Sequence, residues 1–366
     1  MTRVLVAAGG TGGHLFPAEA LAAVLNSRGV TVELATDHRA EKYSGSFPAV
    51  HVIPSATIRG RDPISLAKTA SMLGYGVTKA WWKLPSIKPS IVIGFGGYPS
   101  IPAVVAASLR GIPTLIHEQN AVMGRANKFL AGRVNAIATG FAGVFDKDPA
   151  LAAKATYTGN PVRPMVILAA TRPYSPPDGT GPLNLLVFGG SQGARVMSDV
   201  VPPAIGRLDE VLRKRLHVVQ QARQEDLASV RVTYAKLNVT AEIEPFFSDL
   251  PARMAASHLV ISRSGASTVA ELGAIGRPGI LIPLPHALDQ DQKANAGFLE
   301  RAGGAIRLDQ SMFTPERVAA ELATLAAAPE RLTAMAKAAQ AAGVVDAAER
   351  LADLVLRVAG VIPQSR

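Results

Sequence analysis

The chain alternates between short, uninterrupted apolar runs and longer stretches in which apolar residues recur at helical spacing. Val4-Leu5-Val6-Ala7-Ala8 opens it, and Ala18, Leu21, Ala22 and Leu25 then keep an i, i+3, i+4, i+7 spacing. The first pattern suits a strand buried on both faces of a parallel sheet, the second an amphipathic helix beginning near Pro17. Further strands are expected at Val30 to Ala35, Val50 to Ile53, Ile91 to Phe95, Thr114 to Ile116 and Ala136 to Thr139, with helical stretches between them. Such β-α alternation predicts a doubly wound parallel sheet. Residues 171 to 183 hold four prolines and two glycines, which reads as an irregular connection with a domain boundary between Pro164 and Leu183. The plan then restarts with strands at Leu183 to Phe188, His217 to Gln220, Glu242 to Pro245, Leu259 to Ser262 and Gly279 to Pro283, followed by Ala-rich helix from 315 to 360. The expected organisation is α/β: a Rossmann-like domain over 1–164, a connection over 165–182, a second Rossmann-like domain over 183–340, and a C-terminal helix within 341–366 that packs back on the first.

Loops at the carboxyl edge of such sheets bind ligands. The first, Gly9-Gly10-Thr11-Gly12-Gly13-His14, joins strand to helix and suits an anion, because its glycines admit close approach and a helix start aims N–H groups at the guest. It lacks the Walker lysine, and Leu15 stands where a third glycine would complete G-x-G-x-x-G. Gly189-Gly190-Ser191-Gln192-Gly193-Ala194-Arg195 is a second glycine loop, 180 positions after the first. Asp37 reads as a strand-end cap. His117 and Glu118, following a buried strand, suit either action on a substrate or capping of the next helix. Arg263-Ser264-Gly265-Ala266-Ser267-Thr268 offers hydroxyls and helix-start N–H groups to a diphosphate, and Glu271 is either a ribose acceptor or a favourable early acid. Asp289 and Asp291 form a D-x-D, a spacing that holds metal in some glycosyltransferases but here precedes a helix, where acids serve as caps.

Composition narrows the chemistry. There is no cysteine, which excludes disulfides and thiolate catalysis and fits a reducing cytoplasm. The apolar run after Arg3 is too short for a signal peptide, and no run approaches the roughly eighteen residues of a membrane span. A formal charge of +10 favours an acidic partner. Residues 59 to 88 carry six basic side chains against Asp62 alone, together with both tryptophans. Within them, residues 66 to 84 predict a helix with two stripes. Leu66, Ala70, Leu73, Val77, Ala80 and Leu84 suit a core; Lys68, Met72, Tyr75, Lys79 and Trp82 suit an anionic membrane surface or an ordinary solvated face.

Taken together, Gly9 to His14, Gly96-Gly97-Tyr98, His117-Glu118-Gln119-Asn120, Gly159-Asn160-Pro161-Val162-Arg163, Gly189 to Arg195 and Arg263 to Ala266 resemble the MurG family, bacterial N-acetylglucosaminyltransferases that act on lipid I. The resemblance covers nearly the whole chain. It implies a GT-B fold, two Rossmann-like domains facing across a cleft, and a metal-independent, inverting transfer with no cofactor. The donor it implies is UDP-N-acetylglucosamine, and the acceptor is the C4 hydroxyl of the muramyl sugar of lipid I, at the cytoplasmic face of the bacterial inner membrane. Carried over by residue, Thr11, Gly12, Gly13 and Asn120 would face the donor sugar or reacting centre, and Arg163 and Ser191 would meet the donor. Ala266, Ser267, Thr268, Val269, Ala270 and Glu271 would hold diphosphate and ribose, and the Phe247 backbone would read uracil. Gln292 would bind the sugar, with Gln290 in reserve. His14 is the expected general base, with Glu118 as runner-up. A UDP-N-acetylglucosamine 2-epimerase is the competing enzyme reading. A nucleic-acid-binding protein is suggested by charge alone, and no recognition helix or aromatic RNA-binding motif accompanies that charge.

Overall fold

A computed structural model describes residues 2–9, 12–38, 47–56, 62–285 and 289–361, except for the side chain of Leu66. Thr11 lies outside the described residues. The chain divides into two compact units, Met1–Arg163 together with Asp346–Arg366, and Pro164–Val345.

In the first unit, strands β1 (Arg3–Ala7), β2 (Thr31–Thr36), β3 (Val50–Val52), β4 (Ile91–Gly94), β5 (Thr114–Glu118), β6 (Ala136–Thr139) and β7 (Ala155–Tyr157) form a parallel sheet in the order β3-β2-β1-β4-β5-β6-β7. The apolar opening run is explained by alternation across a sheet covered twice. Val4 and Val6 face a core with Leu15, Leu21, Leu351 and Val355, and Leu5 and Ala7 face one with Leu84, Val92 and Val104. Helices α1 (Gly12–Ser27) and, from the far end of the chain, α15 (Ala347–Val358) cover the first face. Helices α2 (Pro63–Ile87), α3 (Ser100–Leu109) and α4 (Arg125–Ala131) cover the second; a short α5 (Pro149–Ala152) precedes β7.

Helix α1 starts earlier than the expected position near Pro17, so Gly12, Gly13 and His14 form its first turn. Pro17 sits inside this helix, where its missing N–H leaves the Gly13 carbonyl without an i→i+4 donor. Helix α2 is capped by Asp62, whose carboxylate accepts from the Ser65 N–H at 2.9 Å. Gly76 is required on its inner side, since a β-carbon there would lie 2.1 Å from the Pro54 carbonyl oxygen. Pro85, in the last turn, has no N–H to give the Trp81 carbonyl, and Arg110 supplies one instead, Nε to oxygen at 2.9 Å, with its guanidinium 4.1 Å from the Trp81 ring centroid.

The second unit begins with α6 (Pro164–Ala170), a helix where the sequence pattern suggested the start of an irregular connection. Residues 172–174 are then tied down by Arg277, whose buried Nη2 donates to the Arg172 carbonyl at 3.0 Å, and by Tyr174, whose hydroxyl donates to the His258 carbonyl at 3.1 Å. Strands β8 (Leu183–Phe188), β9 (Leu216–Gln221), β10 (Thr240–Glu244), β11 (Leu259–Ser262), β12 (Gly279–Leu281) and β13 (Ala305–Arg307) form a second parallel sheet in the order β10-β9-β8-β11-β12-β13. Between and after them run α7 (Arg195–Gly206), α8 (Glu210–Arg215), α9 (Leu227–Lys236), α10 (Leu250–Ala256), α11 (Ala266–Ile275), α12 (Asp291–Ala302), α13 (Pro315–Ala326) and α14 (Pro329–Ala342).

Candidate active site

At the carboxyl edge of the first sheet, Gly9 and the loop after β4 meet beside His14. A β-carbon on Gly9 would meet Pro99 Cγ at 2.3 Å, so Gly9 lies directly on the loop after β4. Gly96 and Gly97 both take left-handed backbone, φ 79° and 72°, which bulkier residues rarely adopt. The His14 ring packs against that turn. Burial holds its pKa below the ordinary imidazole range, opposed by a hydrogen bond with the Gly9 backbone.

Strand β5 extends through His117 and Glu118, so neither residue lies in the loop where the sequence pattern placed it. His117 is buried against Phe95, with ring centroids 5.4 Å apart, and its Nε2 is 3.1 Å from the Gly159 carbonyl oxygen. Desolvation pushes its pKa down to about 4. Glu118 is equally buried. Its Oε1 accepts from the backbone N–H and the side-chain amide of Asn120 at 2.9 and 3.3 Å, and its Oε2 accepts from the Gly124 N–H and Asn127 Nδ2 at 2.9 and 2.8 Å. Burial raises its pKa and these four donors oppose the rise. The carboxylate is thus engaged by its own turn, the geometry of a loop anchor rather than of the runner-up base. Two residues that the sequence reading gave no role complete the web: Gln119 Nε2 donates to the Phe95 carbonyl at 2.9 Å, and Asn160 Nδ2 donates to the Gln119 carbonyl at 2.8 Å. Asn120 is left half-buried at the rim, and the Arg163 guanidinium stands 4.5 Å from the Phe16 ring centroid, over the start of α1.

In the second unit, Ser191 is exposed in the glycine loop between β8 and α7. Helix α11 opens at Ala266 after Gly265, with no side-chain cap on its first N–H groups. Ser267, Thr268 and Ala270 are partly exposed along its first turns, whereas Val269 faces the core, so Val269 can meet a ligand through its main chain only. Glu271 is buried one turn in. Gln292 is fixed beside this helix start: Leu284 N–H donates to its Oε1 at 3.1 Å, and the Ser264 hydroxyl donates to its backbone oxygen at 2.8 Å. Gln290 is exposed, in left-handed conformation at φ 52°, with Nε2 donating to the Pro285 carbonyl at 3.3 Å. Asp291 accepts the Gln292 N–H at 2.8 Å at the start of α12. Phe247 is buried in the turn between β10 and α10. Gln221 escaped the sequence reading although it ends a strand at the ligand edge; its Oε1 accepts from the Gly189 N–H at 3.0 Å and its Nε2 donates to the Pro245 carbonyl at 3.2 Å, bridging two candidate loops.

Residues 4–139 match the glycosyltransferase family 28 N-terminal domain, and residues 184–351 match its C-terminal domain. A protein of Rhodopseudomonas palustris (strain BisA53) named UDP-N-acetylglucosamine--N-acetylmuramyl-(pentapeptide) pyrophosphoryl-undecaprenol N-acetylglucosamine transferase is 61% identical over 98% of this chain and 96% of its own. A namesake in Nitrobacter hamburgensis is 59% identical over 97% of each chain. The crystal structure of Acinetobacter baumannii MurG superposes with a TM-score of 0.80 at 30% identity, covering 98% of this chain and all of that one. A UDP-N-acetylglucosamine 2-epimerase also superposes, with a TM-score of 0.66 over 100% of this chain and 98% of that one, but at 15% identity it shares the fold alone. Paired domain matches and full-length identity near 60% agree with the GT-B architecture of two parallel α/β sheets, and on them the chain belongs to the MurG family within glycosyltransferase family 28.

Proposed function

We propose that this chain carries out its family's reaction by metal-independent inversion. The reaction moves N-acetylglucosamine from UDP-N-acetylglucosamine to lipid I, the undecaprenyl-diphosphate-linked muramyl pentapeptide, and forms lipid II. In this reading the acceptor's C4 hydroxyl attacks the donor's anomeric carbon, UDP departs from the opposite face, and configuration changes from α to β. His14 takes the proton. The observation that carries this role is its place in the first turn of α1 against the Gly96–Gly97 turn, with burial keeping the imidazole neutral and able to accept at neutral pH. Asn120, Gly12 and Gly13 line the reacting side.

Within the second unit, the donor's diphosphate lies at the start of α11, where Ser267, Thr268 and uncapped N–H groups stabilise the leaving charge with Ser191; Arg163 is the cation that the first unit offers to the donor. Glu271 accepts the ribose hydroxyls, the main chain at Phe247 reads uracil, and Gln292, better fixed than Gln290, meets the sugar. Asp289 and Asp291 act at a helix start rather than as metal ligands; Asp291 already holds the Gln292 N–H.

The same reading places α2 on an anionic membrane. Among the described residues no helix is long and apolar enough to cross a bilayer. Along one side of α2, however, Ile64 is 69% exposed, Met72 44%, Tyr75 58% and Trp82 75%, interleaved with Lys68 and Lys79. At 100° per residue these six fall within about 80° of arc. Apolar bodies interleaved with lysines suit the headgroup boundary.

The test is incubation of the chain with labelled UDP-N-acetylglucosamine and purified lipid I in excess EDTA. The expected product is a lipid heavier by one N-acetylhexosamine. Absence of product that added Mg²⁺ or Mn²⁺ restores would overturn metal independence, and sugar-nucleotide interconversion without acceptor would overturn the transfer itself.

A further inference from the structure

The turn from 245 to 249, between β10 and α10, is held in place by a side chain that the sequence pattern did not mark. Arg253 lies in the first turns of α10 and reaches back over it. Its Nε donates to Asp249 Oδ1 at 2.7 Å, its Nη1 donates to Glu242 Oε2 at 2.6 Å, and its guanidinium carbon stands 4.4 Å from the Phe247 ring centroid. One planar group therefore touches the strand before the turn, the residue that ends it, and the ring at its middle. The Phe247 ring is buried while its neighbour Phe246 is 67% exposed, so consecutive side chains of the turn diverge. From the other side Gln221 holds the Pro245 carbonyl.

Exposed ion pairs add little to global stability, and both acids here are about half exposed. Two of them converging with a stacked ring on five residues of irregular backbone have a local consequence instead: they fix where the turn's N–H and C=O groups point. Main-chain reading of a nucleobase depends on that, because a turn that must be ordered on binding lowers affinity by the entropy of ordering it.

We propose that Arg253 is a positioning residue for donor recognition, holding the Phe247 turn in the conformation that discriminates the nucleobase of the nucleoside diphosphate sugar. This rests on the placement of uracil at the Phe247 main chain. Arg253→Ala raises the donor KM about tenfold, leaves kcat and the lipid I KM within about twofold, and narrows the preference for UMP over CMP as competitive inhibitors. Arg253→Lys keeps a charge for Glu242 and Asp249 but lacks the planar face, and its donor KM stays at least about threefold high. A donor KM and UMP preference unchanged in both variants overturn the proposal, whether or not the melting temperature falls. UDP-dependent slowing of amide exchange over 245–249 in the unmodified enzyme checks the underlying placement separately. No slowing removes the uracil placement and the proposal with it; slowing with normal kinetics in both variants removes Arg253 alone.

Discussion

The imidazole of His14 and the open face of Gly96 are neighbours: a β-carbon on that glycine would stand 3.5 Å from Nε2, at ordinary van der Waals distance. His14 lies in the first turn of its helix beside the Gly96–Gly97 turn, and the general-base role proposed for it there can be tested directly. His14→Ala is expected to lower kcat by about 10²- to 10⁴-fold, with donor affinity and melting temperature little changed. Because burial lowers the imidazole pKa, the acidic limb of the kcat/KM profile should fall below the ordinary value of about 6.5. Near-normal turnover accompanied by a lower melting temperature would reassign the ring to packing.

Glu271→Gln should raise the donor KM by about 10- to 100-fold and leave the acceptor KM unaltered, because an amide oxygen accepts ribose hydroxyls more weakly than a carboxylate does. Isothermal titration with UDP checks it directly; equal affinity removes Glu271 from the ribose.

His117 gives folding a pH dependence that is separate from catalysis. Its pKa is about 4 in the folded chain, against about 6.5 when unfolded, so the unfolded state binds more protons between those values. Stability is therefore complete above about pH 6.5 and is lost as pH falls toward 4, by on the order of 3 kcal/mol from this group. His14 acts in the same direction; Glu118, whose pKa is raised, acts oppositely. Urea unfolding from pH 7.5 to 4.5 should show the decline, and His117→Asn should flatten it. An unchanged slope would place the responsible group elsewhere.

Much of this architecture was legible because buried parallel strands are written as continuous apolar runs: β6, β8 and β11 occupy the residues their runs predict. Strands β7 and β13 were not legible, since Ala155–Tyr157 and Ala305–Arg307 are three-residue edge strands with no apolar run to announce them. Candidate loops were readable from glycine and polar residues at strand ends. The residues that hold those loops were not. Gln119, Asn160, Gln221 and Arg253 act through side-chain contacts to residues distant in sequence or around a turn, and nothing in local spacing reports such a contact.

Changing Met72, Tyr75 and Trp82 together to Ser should weaken sedimentation with anionic vesicles at least about tenfold and spare UDP affinity. These side chains are exposed, so the melting temperature should hold. Unchanged sedimentation would place any membrane contact on another surface.

Helix α15 belongs to the first unit although it is the last helix described. Leu351, Ala352 and Val355 close the face of the sheet that β1 and α1 begin. Synthesis from the amino terminus therefore leaves the part of that face beyond α1 uncovered while the whole second unit emerges from the ribosome, and a release of the chain shortly before residue 347 would strand a polypeptide with its first core partly open. The order of translation, rather than the order of domains, sets when the first unit can become native.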